Sequence, residues 1–191
     1  MRNIRSTFTS FVNQGVTYGV GEIIRKGMLF FIFPLYAKFL SPEEFGQFSL
    51  LYLSANIAVI VFSLNLPTAM FRSYYDYKEP SDHKRLISTA VYLSVMMALF
   101  LAGSGYFFSR PLSSLFSLEK GSYLVFIMFS GAALQILTMI PYNIFRAKMQ
   151  SKRFTLSNLV LTIIYVVLII VYVVVLRQGL RGMVTAYFFY N

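Results

Sequence analysis

The chain has 191 residues, of which 57% are hydrophobic and only 13% charged, with a mean hydropathy of +0.64. Soluble domains carry about 25% charged residues, so this composition excludes an ordinary water-soluble fold and indicates a multi-span membrane protein. Cysteine is absent, which excludes disulfides and thiolate metal sites, and the net charge of +10 fits basic loops beside anionic lipid and not a nucleic-acid partner.

The hydrophobic pattern predicts one all-α integral membrane domain over residues 1–191, a six-helix transmembrane bundle with its sixth helix cut short. The helices are expected at about 12–40, 45–75, 86–108, 123–145, 154–176 and 180–191. The first runs from Val12 to Leu40, with Pro34 as an expected kink. Arg2 and Arg5 precede it, but no small-residue cleavage site follows, so this helix is expected to be retained. The apolar run Gly27 to Leu40 is shorter than the ~20 residues that a span needs. To cross, the helix must bring Glu22, Arg25 and Lys26 into or near the hydrocarbon. Their i, i+3, i+4 spacing puts all three on one face. One carboxylate against two cations suggests a site that handles an anion. Two other readings stand beside this one. Phe11 to Lys26 could lie in the interface as an amphipathic helix, or the two cations could snorkel to the headgroups. Glu22 speaks for an internal partnership, because a carboxylate gains little near acidic lipid.

The second helix runs from Phe45 to about Asn65 and continues after Pro67 toward Tyr75. A loop, Lys78 to Lys84, holds His83, the single histidine, expected in solvent. The third helix, Leu86 to Phe108, carries no charge. Its Ala90, Ser94, Ala98 and Ala102 recur every four residues, which allows close helix packing. The fourth, Tyr123 to Phe145, contains Pro141, and the fifth, Phe154 to Leu176, is the most apolar. The Val/Ile run of the fifth would suit a strand, but a length of about 20 residues decides for a membrane helix. The sixth starts near Leu180 and reaches Asn191 with about half a span. The sequence is therefore expected to be the N-terminal part of a longer protein or a truncated reading frame.

Orientation follows from the Lys/Arg bias. Arg2, Arg5, Arg72, Lys78, Lys84, Arg85, Arg146, Lys148, Lys152 and Arg153 fall on one side. Lys38, Arg110, Lys120, Arg177 and Arg181 fall on the other. The N-terminus is therefore expected in the cytoplasm.

Polar residues recur at helical spacing in four of the segments. They are Tyr18, Glu22, Arg25 and Lys26; Ser49, Tyr52, Asn56 and Ser63; Gly131, Gln135, Thr138, Tyr142 and Arg146; and Asn158, Thr162, Tyr165 and Tyr172. Polar groups in hydrocarbon need partners. The stripes are read either as helix–helix hydrogen bonding or as a shared hydrophilic cavity. The candidate cavity residues are Glu22, Arg25, Lys26, Asn56, Gln135, Tyr142 and Asn158. No HExxH, P-loop or nucleophile elbow is present. Gly103-Ser104-Gly105 is too weak a signal for a nucleotide site. Asp76 and Asp82 share one loop, so no aspartate is expected within the membrane. No catalytic residue, metal or cofactor is expected, and no enzyme activity.

Two motifs give a resemblance. The chain reads Leu40-Ser41-Pro42-Glu43-Glu44-Phe45-Gly46 between the first two helices, and Leu64-Asn65-Leu66-Pro67-Thr68-Ala69 before Arg72. Pro141 to Arg146, Ser157-Asn158 and Gly179-Leu180-Arg181-Gly182-Met183 follow in the same order. The sequence resembles the polysaccharide biosynthesis flippases of the multidrug/oligosaccharidyl-lipid/polysaccharide exporter superfamily over nearly its whole length. That resemblance implies two six-helix lobes around a central cavity, of which this is the N-terminal one. It implies a multi-pass protein of the bacterial inner membrane that flips undecaprenyl-diphosphate-linked oligosaccharide for O-antigen, lipopolysaccharide or capsule assembly. Its partners would be the lipid-linked oligosaccharide, the bilayer, the C-terminal lobe, and polymerase or assembly proteins. Lobe rocking would use Pro34, Pro67 and Pro141 as flex points. An exporter of drugs or another lipid, and a non-transporting scaffold, are the competing readings.

Overall fold

The computed structural model describes residues 4–77, 79–118 and 121–191, with side chains from Gly15 onward. Arg2, Lys78, Lys120 and the Arg5 side chain, all used in the orientation argument, lie outside the described residues. All regular structure among the described residues is helical: α1 (Ile4–Phe39), α2 (Pro42–Ser63), α3 (Leu66–Asp76), α4 (Pro80–Phe107), α5 (Ser109–Leu115), α6 (Ser122–Ala147), α7 (Ser151–Ile169), a π-helical turn (Ile170–Val175) and α8 (Gly179–Tyr190).

Local chemistry sets these boundaries. Ser41 caps α2, accepting from the Glu44 amide at 3.1 Å, while the Glu44 carboxylate accepts from the Ser41 amide at 3.0 Å. With Pro42 in the first turn, this is a capping box on a pre-organised start. Leu64 and Asn65 both adopt left-handed backbone, with φ of 47° and 53°, and break α2 from α3 just before Pro67. α7 widens into the π turn, and Gly182 of α8 packs where a Cβ would crowd the Tyr172 carbonyl.

α6 is the hub of the bundle and touches α2, α3, α4, α5, α7 and α8. Half of its most apolar stretch is buried, against 17–22% for the other three long apolar helices, which therefore form the outer layer. Val125, Met128, Ala132 and Ile136 of α6 sit in the main core with Leu51, Leu101, Ile169 and Val184. The α4 stripe does pack: Ala90, Ser94 and Ala98 are buried and Ala102 is half-buried, with α6 as the chief neighbour of α4. Gly105 continues this contact, since a Cβ there would strike the Phe129 side chain.

Among the described residues four stretches are long and apolar enough to cross a membrane: Pro42–Asp76, Pro80–Phe107, Ser122–Ala147 and Ser151–Val175, so six full spans are not seen there. α1 carries the charged triplet, and α8 has 12 residues, about 18 Å of helix. Several expectations change in detail. α1 begins at Ile4, eight residues before Val12. α5 and the π turn were not anticipated from the sequence. His83 lies in the first turn of α4 rather than in a solvated loop. It stacks on Tyr74 at 4.3 Å, with Nε2 3.0 Å from the Tyr74 carbonyl.

Candidate functional site

α1 packs chiefly on α7, and the contact begins at a glycine. A Cβ at Gly21 would collide with the Thr155 side chain, so glycine sets the close approach. The Thr155 hydroxyl donates to the Thr17 carbonyl at 3.5 Å, and Tyr18 meets Phe154 edge-on at 5.3 Å. This register fixes the depth of the triplet. Thr155 lies in the second turn of α7, so α1 overhangs the start of α7 by about 20 Å at 1.5 Å per residue. Glu22 and Arg25 therefore lie beside the second and third turns of α7, about 7–12 Å in from its Ser151 end. The length anomaly of the first helix has a simple cause. α1 is about 54 Å long, and its charges lie level with the early turns of α7, not with the middle of that helix.

The triplet splits into roles. Arg25 holds Glu22 through two hydrogen bonds, Nη2 to Oε1 at 2.6 Å and Nε to Oε2 at 2.9 Å. The Lys26 Nζ is 3.7 Å from the same carboxylate. The Arg25 side chain is 27% exposed and that of Lys26 72%, so Arg25 is the inward cation and Lys26 stands on the rim. Tyr18, Gly21, Glu22, Arg25, Phe154, Thr155 and Asn158 line a cavity of about 300 Å³. That is the small end of ligand sites, which run from about 300 to 1,000 Å³. Tyr142 meets Phe154 edge-on at 5.6 Å and is not among the residues that line the cavity.

Gln135 and Asn56 belong elsewhere. The Gln135 Oε1 accepts from the Tyr187 hydroxyl at 3.2 Å, and Tyr187 meets Tyr52 edge-on at 5.7 Å. Asn56 donates to the Tyr52 carbonyl at 2.7 Å. This second cluster lies on α2, α6 and α8. Tyrosines join the two clusters. Tyr190 interacts with Arg25 and packs on Tyr165 at 4.6 Å, and Tyr165 interacts with Tyr36. Sequence reading missed Tyr36, Tyr187 and Tyr190. The i, i+3 spacing of the last two was the available signal.

Most stripe residues solve their hydrogen-bonding problem alone. Ser49, Asn56, Ser63, Thr138, Asn158 and Thr162 each donate to a carbonyl three or four residues earlier in their own helix. This own-helix bonding is open to Ser, Thr and Asn wherever water is scarce. Among the described residues, Gln135 alone of the uncharged candidates makes a side-chain hydrogen bond to another helix, while Tyr142 reaches α7 through its ring contact with Phe154. No group of three His, Asp or Glu side chains placed to hold a metal occurs among the described residues.

The two ends of the bundle differ. Arg72, Lys84, Arg85, Arg146, Lys148, Lys152 and Arg153 gather where α3, α6 and α7 meet the start of α4. There the Tyr75 hydroxyl donates to the Ala147 carbonyl at 3.0 Å. At the opposite end Glu44 ties two helices. Its Oε1 accepts from the Leu180 amide at 3.2 Å, and Gly179, at φ +53°, leaves room for the carboxylate.

Long apolar helices and a polar, tyrosine-rich face define a multi-pass membrane protein. The family model for polysaccharide biosynthesis proteins matches residues 12–191, and the chain belongs to that family. No curated protein and no solved structure matches it.

Proposed function

We propose that this chain is the N-terminal lobe of a flippase that moves undecaprenyl-diphosphate-linked oligosaccharide across the bacterial cytoplasmic membrane for surface polysaccharide assembly. It lies in that membrane with its basic end in the cytoplasm, and it carries its cargo without transforming it. The observation that supports this most is the Arg25 cavity. A bare diphosphate in hydrocarbon costs several kcal/mol or more, and Arg25 presents a planar fork suited to phosphate oxygens. A cavity of about 300 Å³ suits a phosphate group and is cramped for an oligosaccharide. The sugars would then lie outside it, along the tyrosine face. Glu22 occupies the fork when no ligand does, so binding is an exchange of one anion for another and release remains possible. Lys26 supplies attraction from the rim.

The test is made in the full-length gene at its own locus, reading surface polysaccharide together with membrane insertion. Arg25→Glu with Lys26→Glu should abolish the polysaccharide while the protein still inserts. Arg25→Glu alone should do nearly as much, and Lys26→Glu alone much less. Unchanged surface polysaccharide in the inserted double variant would show the cavity role to be wrong. A tag at Asn3 reachable only from outside intact cells would refute the orientation.

A further inference from the structure

A cavity of about 600 Å³ lies where α4 ends, α5 crosses and α6 begins, and Tyr106, Phe107, Ser109, Arg110, Tyr123 and Phe126 line it. It is at the opposite end of the bundle from Arg146 and Lys152. Among the described residues α4 and α5 make no substantial contact with α1 or α7, so the cavity is remote from the Arg25 site.

Its chemistry is that of an amphiphile's seat. Tyr106 meets Phe126 edge-on at 6.3 Å and Phe107 at 5.9 Å, forming an aromatic wall. Tyr106, Phe107 and Tyr123 are largely exposed, so much of this wall is open to a ligand. The Ser109 hydroxyl donates to the Tyr106 carbonyl at 2.7 Å, while Ser122 and the two tyrosines add hydroxyls to the lining beside Arg110. Among the described residues Arg110 is the one charged group in the lining, and no carboxylate joins it. Aromatic rings at the end of a span sit at headgroup level. A guanidinium above an aromatic wall at that depth matches a phosphate above the first methylenes of an acyl chain. We infer that this cavity holds an anionic phospholipid, its phosphate at Arg110 and the upper acyl chain along Tyr106, Phe107 and Phe126. An aromatic girdle without a binding role would show no headgroup preference.

The chain has no tryptophan, so Phe107→Trp places a single reporter in the cavity. The variant, with the whole chain intact, is reconstituted in phosphatidylcholine vesicles containing brominated phosphatidylglycerol or brominated phosphatidylcholine. Brominated phosphatidylglycerol should bind beside the reporter roughly fivefold more strongly, the contribution of about one cation near an anionic headgroup. Arg110→Gln in the same background should bring the ratio to about one, whereas Arg146→Gln should leave it unchanged. Tyr123→Trp serves as a second reporter if Phe107→Trp does not fold. Equal quenching by the two lipids, or a preference that survives Arg110→Gln, overturns the inference. So does displacement of brominated phosphatidylglycerol by tenfold less undecaprenyl diphosphate, which would assign the cavity to the transported lipid.

Discussion

Glu44→Ala tests the tie that closes one end of the bundle. The Glu44 carboxylate accepts from the Ser41 amide at 3.0 Å and from the Leu180 amide at 3.2 Å. The first bond is half of an exposed capping box, and losing such a cap costs about 1 kcal/mol. The second is more valuable, because Leu180 is buried and its amide would lose a charged acceptor. Leaving a buried donor unsatisfied costs about 1–3 kcal/mol. The sum is about 2–4 kcal/mol, or a fall in Tm of roughly 5–15 °C for a chain of this length. The assay is thermal unfolding of the purified chain in detergent micelles. Ser41→Ala should cost only about 1 kcal/mol, and exposed Glu43→Ala should stay within about 0.5 kcal/mol. Gly179→Ala should also destabilise, by strain at its positive φ and by crowding Glu44, and should couple non-additively with Glu44→Ala. A Tm for Glu44→Ala equal to that of wild type, or no lower than that of Glu43→Ala, would refute the reasoning.

Three further outcomes are expected from the same melting assay. Gly21→Leu should wedge α1 from α7 and lower Tm by several degrees, whereas Gly19→Leu, with nothing within 4 Å, should be tolerated. If both behave alike, the α1–α7 register described above is wrong. Ala98→Leu should overpack the α4–α6 contact at about 1–3 kcal/mol, while Leu99→Ala, on the exposed neighbouring face, should cost far less. Tyr187→Phe should cost about 1–2 kcal/mol by orphaning the Gln135 oxygen, and Gln135→Met in that background should restore much of it.

Much of the secondary structure was legible because apolar length is a local property. The helix cores, the break before Pro67, the small-residue face of α4 and the family motifs all follow from a few residues read in order. The Ser41-x-x-Glu44 capping box was not anticipated, although its three-residue spacing is a local signal. His83 was misplaced because its partner, Tyr74, sits on the preceding helix, and a stacking contact leaves no local signal.

The sequence by itself determined that the chain is helical, membrane-bound and a polysaccharide biosynthesis family member, and that Glu22, Arg25 and Lys26 share one helical face. Hydropathy, helical period and motif order suffice for those statements, since each concerns neighbours along the chain. Tertiary structure alone decided where the triplet lies along α7, through the contact of Gly21 with Thr155. It also separated Arg25 from Lys26, placed Asn158 with them, and sent Gln135 and Asn56 to a different cluster. Those outcomes depend on how helices far apart in the chain slide and rotate against each other. That register is set by where side chains are small enough for backbones to meet, and a one-helix pattern does not contain it.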